Sequence, residues 1–242
     1  TFNYYAISSD RKLYLINPSD SPISVTTQVF DSNPFNSPPH STMDWFEIKS
    51  QDNYLYIAAR NDSENPTDGY IYRVDLDTSP IQVEIFNFGG GLNGFDISSS
   101  SNMLYYSEAE TFQIKQVDLS VLPLNPTTLA GNYGIGGHFD GPASIALINK
   151  PGDVILNSSG NLLYFIDGST IRSVNLDNSI TGEYQVATIS GDPFRCGILN
   201  ADGQRALFIK PAYLYYETRN GKDILYIADE LAHNIRRVEV KP

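Results

Sequence analysis

Acidic side chains within predicted strands are the residues of this sequence that could most readily bind a metal ion. Asp44, Asp96 and Asp153 each belong to a segment of alternating apolar and polar residues, as do Glu47 and Glu217. Calcium in proteins takes roughly six to eight oxygen ligands, many of them carboxylates. Asp44, Asp96 and Asp153 are therefore the candidate calcium ligands. No catalytic residue and no other cofactor is predicted.

Histidine and cysteine, which serve in zinc sites and in nucleophilic catalysis, are scarce in this chain. The sequence contains only His40, His138, His233 and Cys196. The histidines fall in different loops and turns, so a shared zinc site is not expected. Cys196 is flanked by Phe194 and Ile198, which predicts a buried, unreactive thiol. No Gly-x-Ser-x-Gly segment is present either, which argues against a hydrolase nucleophile of that type.

The elements that position these residues form an internal repeat. The segment "NLLYFID" at residues 161–167 recurs as "DILYIAD", "NMLYYSE", "NYLYIAA" and, more weakly, "NYYAISS". Each copy is followed by a second apolar segment, such as "TIRSVNL" or "NIRRVEV". Repeats of roughly 50–60 residues with period-two alternation are typical of propeller blades of four antiparallel strands. The sequence thus predicts an all-β propeller with five visible repeats.

The last two repeats resemble the NHL-repeat family of β-propellers. Their lead-in segments reach Asp140-Gly141 and Asp202-Gly203, and an Ile-Arg-x-Val strand comes later in each. Between these lie the matched pairs Ala146 and Ala206, and Pro151 and Pro211. The resemblance implies a ring of similar blades, commonly six. It also raises two activities with metal in the central channel: a lactonase-like hydrolase and the lyase that cleaves peptidyl-hydroxyglycine.

The residue types that these two repeats share also have a structural explanation. Gly141 and Gly203 follow an aspartate, a combination that favours a tight turn with positive φ. Pro151 and Pro211 are expected at the first residue of a strand, where a missing N–H costs little. These residues are therefore predicted to shape the fold.

The repeat weakens the case for a metal in the channel. Glu47 and Asp96 share one repeat position, and the fourth repeat has Ile155 there. Carboxylates at different repeat positions would point partly into the channel and partly between sheets. The sequence favours a channel without metal and leaves calcium as the alternative.

Acidic and basic residues occur together in three of the five repeats. The predicted ion pairs across the second and third strands are Glu108–Lys115, Asp167–Arg172 and Asp229–Arg236. The first two repeats lack both members. This joint occurrence predicts intra-blade pairs, each contributing about 0–1 kcal/mol if exposed and more if the arginine is partly buried.

Charge and hydropathy exclude two classes of partner. The chain of 242 residues has 16 basic and 28 acidic residues, a net charge of −12, which disfavours nucleic acid. No apolar run approaches the roughly 18 residues of a membrane helix, so no membrane insertion is predicted. Sequons at Asn61 and Asn157, with the acidic, Ser- and Asn-rich composition, favour a glycosylated extracellular or cell-surface protein.

Two functions from different classes remain. The first is a non-catalytic scaffold that binds a protein partner or neighbouring modules of the same assembly. Its loops are uneven, and the Pro-rich segment at residues 31–42 is one candidate contact. The second is a calcium-dependent hydrolase or lyase with its site in the channel.

The two ends of the chain each supply part of a blade. Residues 1–30 match the second, third and fourth strands, and residues 212–240 match the first three. Because neither part-blade completes the other, we predict a single domain, residues 1–242, that is a slice of a longer chain forming a six-bladed ring.

Overall fold

The structure is a computed structural model that describes residues 4–7, 13–17, 24–28, 44–60, 69–77, 82–89 and 91–240. Every sheet in these residues is antiparallel. The chain divides into two compact units, Thr1–Leu92 and Asn93–Pro242. Each unit is described by itself.

The first unit contains two sheets. One has three strands in the order β1-β2-β3: β1 (Tyr4–Ile7), β2 (Leu13–Asn17) and β3 (Ser24–Gln28). The other has four strands in sequence order: β4 (Asp44–Gln51), β5 (Tyr54–Arg60), β6 (Gly69–Asp75) and β7 (Gln82–Asn87). Leu55, Ile57 and Tyr72 are fully buried in its core. Alternation along β5 and β6 places these side chains on one face of the sheet.

The second unit contains three sheets. The first comprises β8 (Leu92–Ile97), β9 (Met103–Glu108), β10 (Gln113–Asp118) and β11 (Thr127–Gly131). The next comprises the short β12 (Gly141–Pro142), then β13 (Pro151–Leu156), β14 (Leu162–Asp167), β15 (Thr170–Asn175) and β16 (Gln185–Gly191). The last comprises β17 (Pro211–Arg219), β18 (Lys222–Asp229) and β19 (Asn234–Glu239). Two 3-10 helices, Gly203–Arg205 and Glu230–Ala232, lie in connections of this unit.

Strand β14 shows why the second strand of each repeat is apolar at successive positions. Leu163 and Phe165 pack into the core shared with β9–β11, whereas Tyr164 and Ile166 pack into the core shared with β17 and β18. A strand buried on both faces cannot alternate with polar residues. The continuous apolar run "LLYFI" therefore reflects packing of sheet against sheet on both sides.

The described sheets differ from the five four-stranded blades that the repeats predict. The sheets β4–β7, β8–β11 and β13–β16 have four strands in repeat order, the last extended by β12. The sheets β1–β3 and β17–β19 have three strands among the described residues. The structure shows a propeller-like arrangement of antiparallel sheets. It does not show five complete blades or a six-bladed ring.

The turn and strand positions predicted from the repeat are found with one correction. Pro151 and Pro211 begin β13 and β17, and Gly141 and Gly203 have φ of 129° and 55°. The two Asp-Gly pairs, however, are not equivalent. Gly141 lies in β12, whereas Gly203 lies two positions later in the repeat and begins a 3-10 helix.

No helix in the described part of the chain has the length and apolar character needed to cross a bilayer.

Candidate functional site

The candidate calcium ligands are not brought together. The Asp96 carboxylate on β8 accepts the Leu156 N–H of β13 at 2.8 Å, and the Asp153 carboxylate on β13 accepts the Leu214 N–H of β17 at 2.7 Å. Each carboxylate thus links the first strand of one sheet to the first strand of the next. Asp44 begins β4, and its side chain lies outside the described part of the structure. Among the described residues, no cluster of three or more His, Cys, Asp or Glu is placed to hold a metal.

Each predicted ion pair lies within 4 Å. The nitrogen-to-oxygen distances are 3.1 Å for Lys115–Glu108, 2.7 Å for Arg172–Asp167 and 3.7 Å for Arg236–Asp229. The carboxylates of all three pairs are buried, so the pairs are not the solvated contacts that contribute little.

Arg172 is the centre of the most extensive of these clusters. The guanidinium is fully buried. It donates to the Asp167 carboxylate at 2.7 Å, to Asp140 at 2.7 Å and to the carbonyls of Leu147 and Phe139 at 2.8 and 2.9 Å. Arg172 therefore ties strand β15 to the segment that precedes β13.

The carboxylate of Asp167 is held from several directions. Burial would by itself raise its pKa, but contacts with His138, the Lys150 N–H and Arg172 together bring the pKa below its ordinary value. The Asn149 and Lys150 N–H groups donate to it at 2.9 and 2.8 Å. Asp167 is thus charged and fully engaged at neutral pH.

Arg236 repeats this arrangement in the last sheet with fewer partners. It donates to the carbonyls of Leu207 and Leu199, both at 3.0 Å, and lies over the Phe208 ring at 4.9 Å. The position of Asp140 is taken by Asn200, one residue after Leu199. The sequence analysis aligned Asp202 with Asp140, which is wrong, because the arginine contacts place Leu199 and Leu207 opposite Phe139 and Leu147.

Arg172 and Arg236 anchor two equivalent loops. The sequence analysis did not predict this anchoring. We call residues 132–150 the first lead-in loop and residues 192–210 the second. An isolated bridge closes each one, Phe139–Leu147 in the first and Leu199–Leu207 in the second. The signal was available in the sequence, since apolar residues eight positions apart recur in both segments ahead of an Ile-Arg pair.

The lead-in loops present apolar side chains to solvent. The exposed members, called the loop surface below, are Tyr133, Ile135, Phe139, Ile145, Phe194, Ile198 and Leu199. Tyr133 is 72% exposed and Phe194 is 88% exposed. Strand β16 lies between the two loops, because Thr188 donates to Asp140 while Ser190 donates to the Gly203 carbonyl. The loop surface therefore extends over neighbouring sheets.

Cys196 lies in the second lead-in loop and is exposed, so the prediction of a buried thiol is wrong. Its neighbours Phe194 and Ile198 are exposed as well. The Asp192–Arg195 bridge makes this segment a tight turn rather than a strand. Flanking apolar residues therefore do not bury the cysteine.

The structure describes only one of the two sequons. Asn61 lies outside the described residues, as does the Pro-rich segment at 31–42. Asn157 is buried, and its amide nitrogen donates to the Asn161 side chain at 2.8 Å. Its oxygen accepts the N–H groups of Asn161 and Leu162, both at 3.1 Å. A glycan on Asn157 would require this turn to open.

Comparisons with known proteins place the chain by fold. No family model and no curated protein matches it. Among solved structures, a structural genomics protein of unknown function from Bacteroides thetaiotaomicron is 17% identical, with a TM-score of 0.71 over 99% of this chain and 56% of that chain. An auxiliary nutrient binding protein from the same organism is 15% identical, with a TM-score of 0.58 over 99% and 66%. The chain thus spans less than two thirds of the length of each of these two proteins.

Two further solved structures bear on the fold class of this chain. The β-propeller domain of Cps50 (Swd1) from Myceliophteria thermophila is 11% identical, with a TM-score of 0.58 over 99% of this chain and 67% of that chain. A gluconolactonase from Xanthomonas campestris is 14% identical, with a TM-score of 0.51 over 93% and 68%. At these identities the likeness shows the fold alone, which is all-β and propeller-like.

Proposed function

We propose that this chain is a non-catalytic propeller scaffold that binds a protein partner through the loop surface, as a module of a larger extracellular or surface protein. The observation that carries the proposal is the set of exposed apolar side chains on two equivalent, arginine-anchored loops. Clustered exposed apolar residues mark interaction sites more often than isolated ones do.

The anchoring supports a binding role for these loops. Arg172 and Arg236 each hold both ends of a closed loop segment by bonds to two backbone carbonyls. A loop held in one conformation loses little conformational entropy when it binds. Tyr133 and Phe194 lie in the same loops, within the turns closed by the Asn132–Ile135 and Asp192–Arg195 bridges, and are suited to be aromatic anchors in a partner's pockets.

The experiment compares three forms of the chain. Tyr133→Ser combined with Phe194→Ser removes the two most exposed aromatic side chains of the loop surface. Ile180→Ser is the matched control, because Ile180 is 93% exposed and lies outside both loops. Proteins from the extracellular material of the source organism that bind each form are quantified by mass spectrometry. The affinity of each of these proteins is then measured by calorimetry.

We expect one partner to bind the wild type and the Ile180 variant with equal affinity. The double variant should bind it about tenfold or more weakly, since aromatic anchors carry much of an interface's energy. Equal binding by all three forms would exclude the loop surface as the site.

The alternative function is a calcium-dependent hydrolase or lyase with its site in the channel. Its support is the fold likeness to the gluconolactonase. Against it, Asp96 and Asp153 link neighbouring strands. Stoichiometric calcium in native mass spectra, together with lactone hydrolysis that a chelator abolishes, would favour the enzyme over the scaffold.

The repeat family and the extracellular location are part of the same proposal. The Ile-Arg-x-Val strands with their lead-in loops support an NHL-type repeat. The glycan mass on Asn61 in protein from the source organism would test the extracellular location.

A further inference from the structure

A cavity of about 310 Å³ lies where the first hairpins of two neighbouring sheets approach each other. It is lined by residues 96–100 at the end of β8, by residues 156–160 at the end of β13, and by Tyr216 of β17. All of these residues belong to the second unit. We call this space the turn cavity. Its volume falls at the lower end of the range for small-molecule sites, roughly 300–1,000 Å³.

Hydroxyl groups make up most of the lining of the turn cavity. Asp96 adds a carboxylate, which also accepts the Leu156 N–H at 2.8 Å. None of the lining residues is Lys, Arg or His, so the cavity offers no positive side chain to an anion. The residues that contribute hydroxyls are Ser98, Ser99, Ser100, Ser158, Ser159 and Tyr216.

The turn that forms one wall of the cavity is held in a single conformation. The side-chain oxygen of Asn157 accepts the N–H groups of Asn161 and Leu162, both at 3.1 Å. The Ser159 hydroxyl donates to the Asn161 side chain at 2.6 Å. Gly160 has a φ of 70°, in the region that favours glycine. A wall that is already ordered loses little conformational entropy when a ligand binds.

A chain of hydrogen bonds connects this wall to the Asp223 carboxylate. Tyr164 donates to one oxygen of Asp223 at 2.9 Å, and Tyr216 donates to the other at 2.7 Å. An ionised carboxylate only accepts, so each phenol uses its proton here. Burial, with the nearby Asp223 carboxylate, raises the pKa of Tyr164, which keeps this phenol protonated.

The same chain fixes the direction in which Ser158 donates. The Tyr216 oxygen, whose proton is used by Asp223, accepts from the Thr218 hydroxyl at 2.7 Å. The Thr218 oxygen, whose proton is then used as well, accepts from the Ser158 hydroxyl at 3.2 Å. Ser158 therefore donates into the chain, and its lone pairs remain for a ligand in the cavity. Both Ser158 and Asp96 thus present acceptors, which favour a ligand that donates.

We propose that the turn cavity binds a neutral monosaccharide, whose hydroxyl groups donate to Ser158 and Asp96 and exchange hydrogen bonds with the other serines. A sugar carries many hydroxyls on a small frame, which suits a small cavity lined by hydroxyls. An anionic ligand would find no basic partner, and an apolar ligand would leave the hydroxyls unpaired. The inference goes beyond the proposed function and does not depend on it, because the turn cavity and the loop surface share no residue.

The probes are the methyl glycosides of glucose, galactose and mannose, each titrated into the 242-residue chain and followed by saturation-transfer NMR. We expect at least one of them to bind saturably. The uronic acid form of that sugar is the matched ligand control. It should bind about tenfold more weakly, because its carboxylate meets the Asp96 carboxylate with no basic side chain in the lining.

Three variants of the lining should weaken binding of the same sugar. Ser99→Phe should abolish it, because the ring would occupy the cavity. Ser158→Ala removes the acceptor and should weaken binding about three- to tenfold, the usual effect of one hydrogen bond. Tyr216→Phe interrupts the chain that orients Ser158 but keeps the ring beside Tyr164, and a loss of about threefold is expected.

Two variants outside the cavity serve as matched controls. Tyr215→Phe removes a phenol from the opposite face of β17, and Ser179→Ala removes an exposed hydroxyl. Both should leave binding unchanged, and circular dichroism checks that every variant is folded. Absence of binding of all three glycosides to the folded chain would refute the proposal, as would equal binding of the uronic acid. Unchanged binding in any of the three lining variants would place the sugar elsewhere and would also refute it.

Discussion

Arg172 and Arg236 occupy the same position in neighbouring sheets, and their surroundings differ. Arg172 is enclosed by two carboxylates and two carbonyls, with β16 covering its strand. Arg236 has the same two carbonyl bonds and one carboxylate at 3.7 Å, with Asn200 where the first loop has Asp140. The comparison shows that the repeat encodes the arginine's attachment to its lead-in loop, while the loop residue, Asp140 or Asn200, decides whether a second carboxylate reaches the charge.

The largest effect should come from removing the arginines. Arg172→Met leaves two carboxylates without their buried counter-charge, a change that typically costs about 3–5 kcal/mol. Arg236→Met removes bonds to two carbonyls and a longer carboxylate contact, for which about 1–3 kcal/mol is expected. Urea unfolding of both variants measures the difference. Equal losses would mean that the enclosure of Arg172 adds nothing to stability.

The pH dependence of unfolding should depend on the enclosed cluster. The pKa of Asp167 is lowered in the folded protein. Its contribution is therefore complete above the ordinary pKa of an aspartate and is lost as pH falls through the lowered value. In Asp167→Asn, part of the acid-induced loss of stability should disappear, as judged from urea midpoints between roughly pH 7 and pH 2. An unchanged pH profile would show that Asp167 does not couple folding to protonation.

The smallest effect concerns the residue that distinguishes the two lead-in loops. Asp140→Asn removes one carboxylate from Arg172, and Asn200→Asp offers one to Arg236. Because Asp140 is partly exposed, each change is expected to be worth about 0–1 kcal/mol, destabilising in the first case and stabilising in the second. Thermal unfolding of both single variants and the double variant gives the signs. A loss of stability in Asn200→Asp would show that the loops are not equivalent at this position.

Much of the strand architecture could be predicted from the sequence, because period-two alternation and turn residues act within short segments. Pro151 and Pro211 begin strands as expected. The ion-pair partners could be found by comparing repeats, since residues in diagonal contact across a hairpin occur together. Asp140 and Asp202 were nevertheless misaligned, because the Asp-Gly dipeptide occurs at two different positions of equivalent loops, where no strand alternation fixes the alignment.

The surroundings of the candidate site residues could not be predicted from strand alternation in the same way. Cys196 has apolar neighbours in sequence, and yet it is exposed, because a tight turn directs Phe194 and Ile198 outward. Asp96 and Asp153 have the residue type of calcium ligands, and each instead accepts a backbone N–H from the next sheet. Which donor a carboxylate meets depends on residues about 60 positions away in the chain.

The sequence by itself determined the strands, their hairpin pairing and the arginine of the third strand, since these depend on local alternation and on neighbours within one repeat. Only the tertiary structure decided the rest: the two carbonyls each arginine binds and the exposure of the lead-in loops. These features arise where one sheet packs against the next, and the free energy of that packing depends on contacts between residues far apart in the chain.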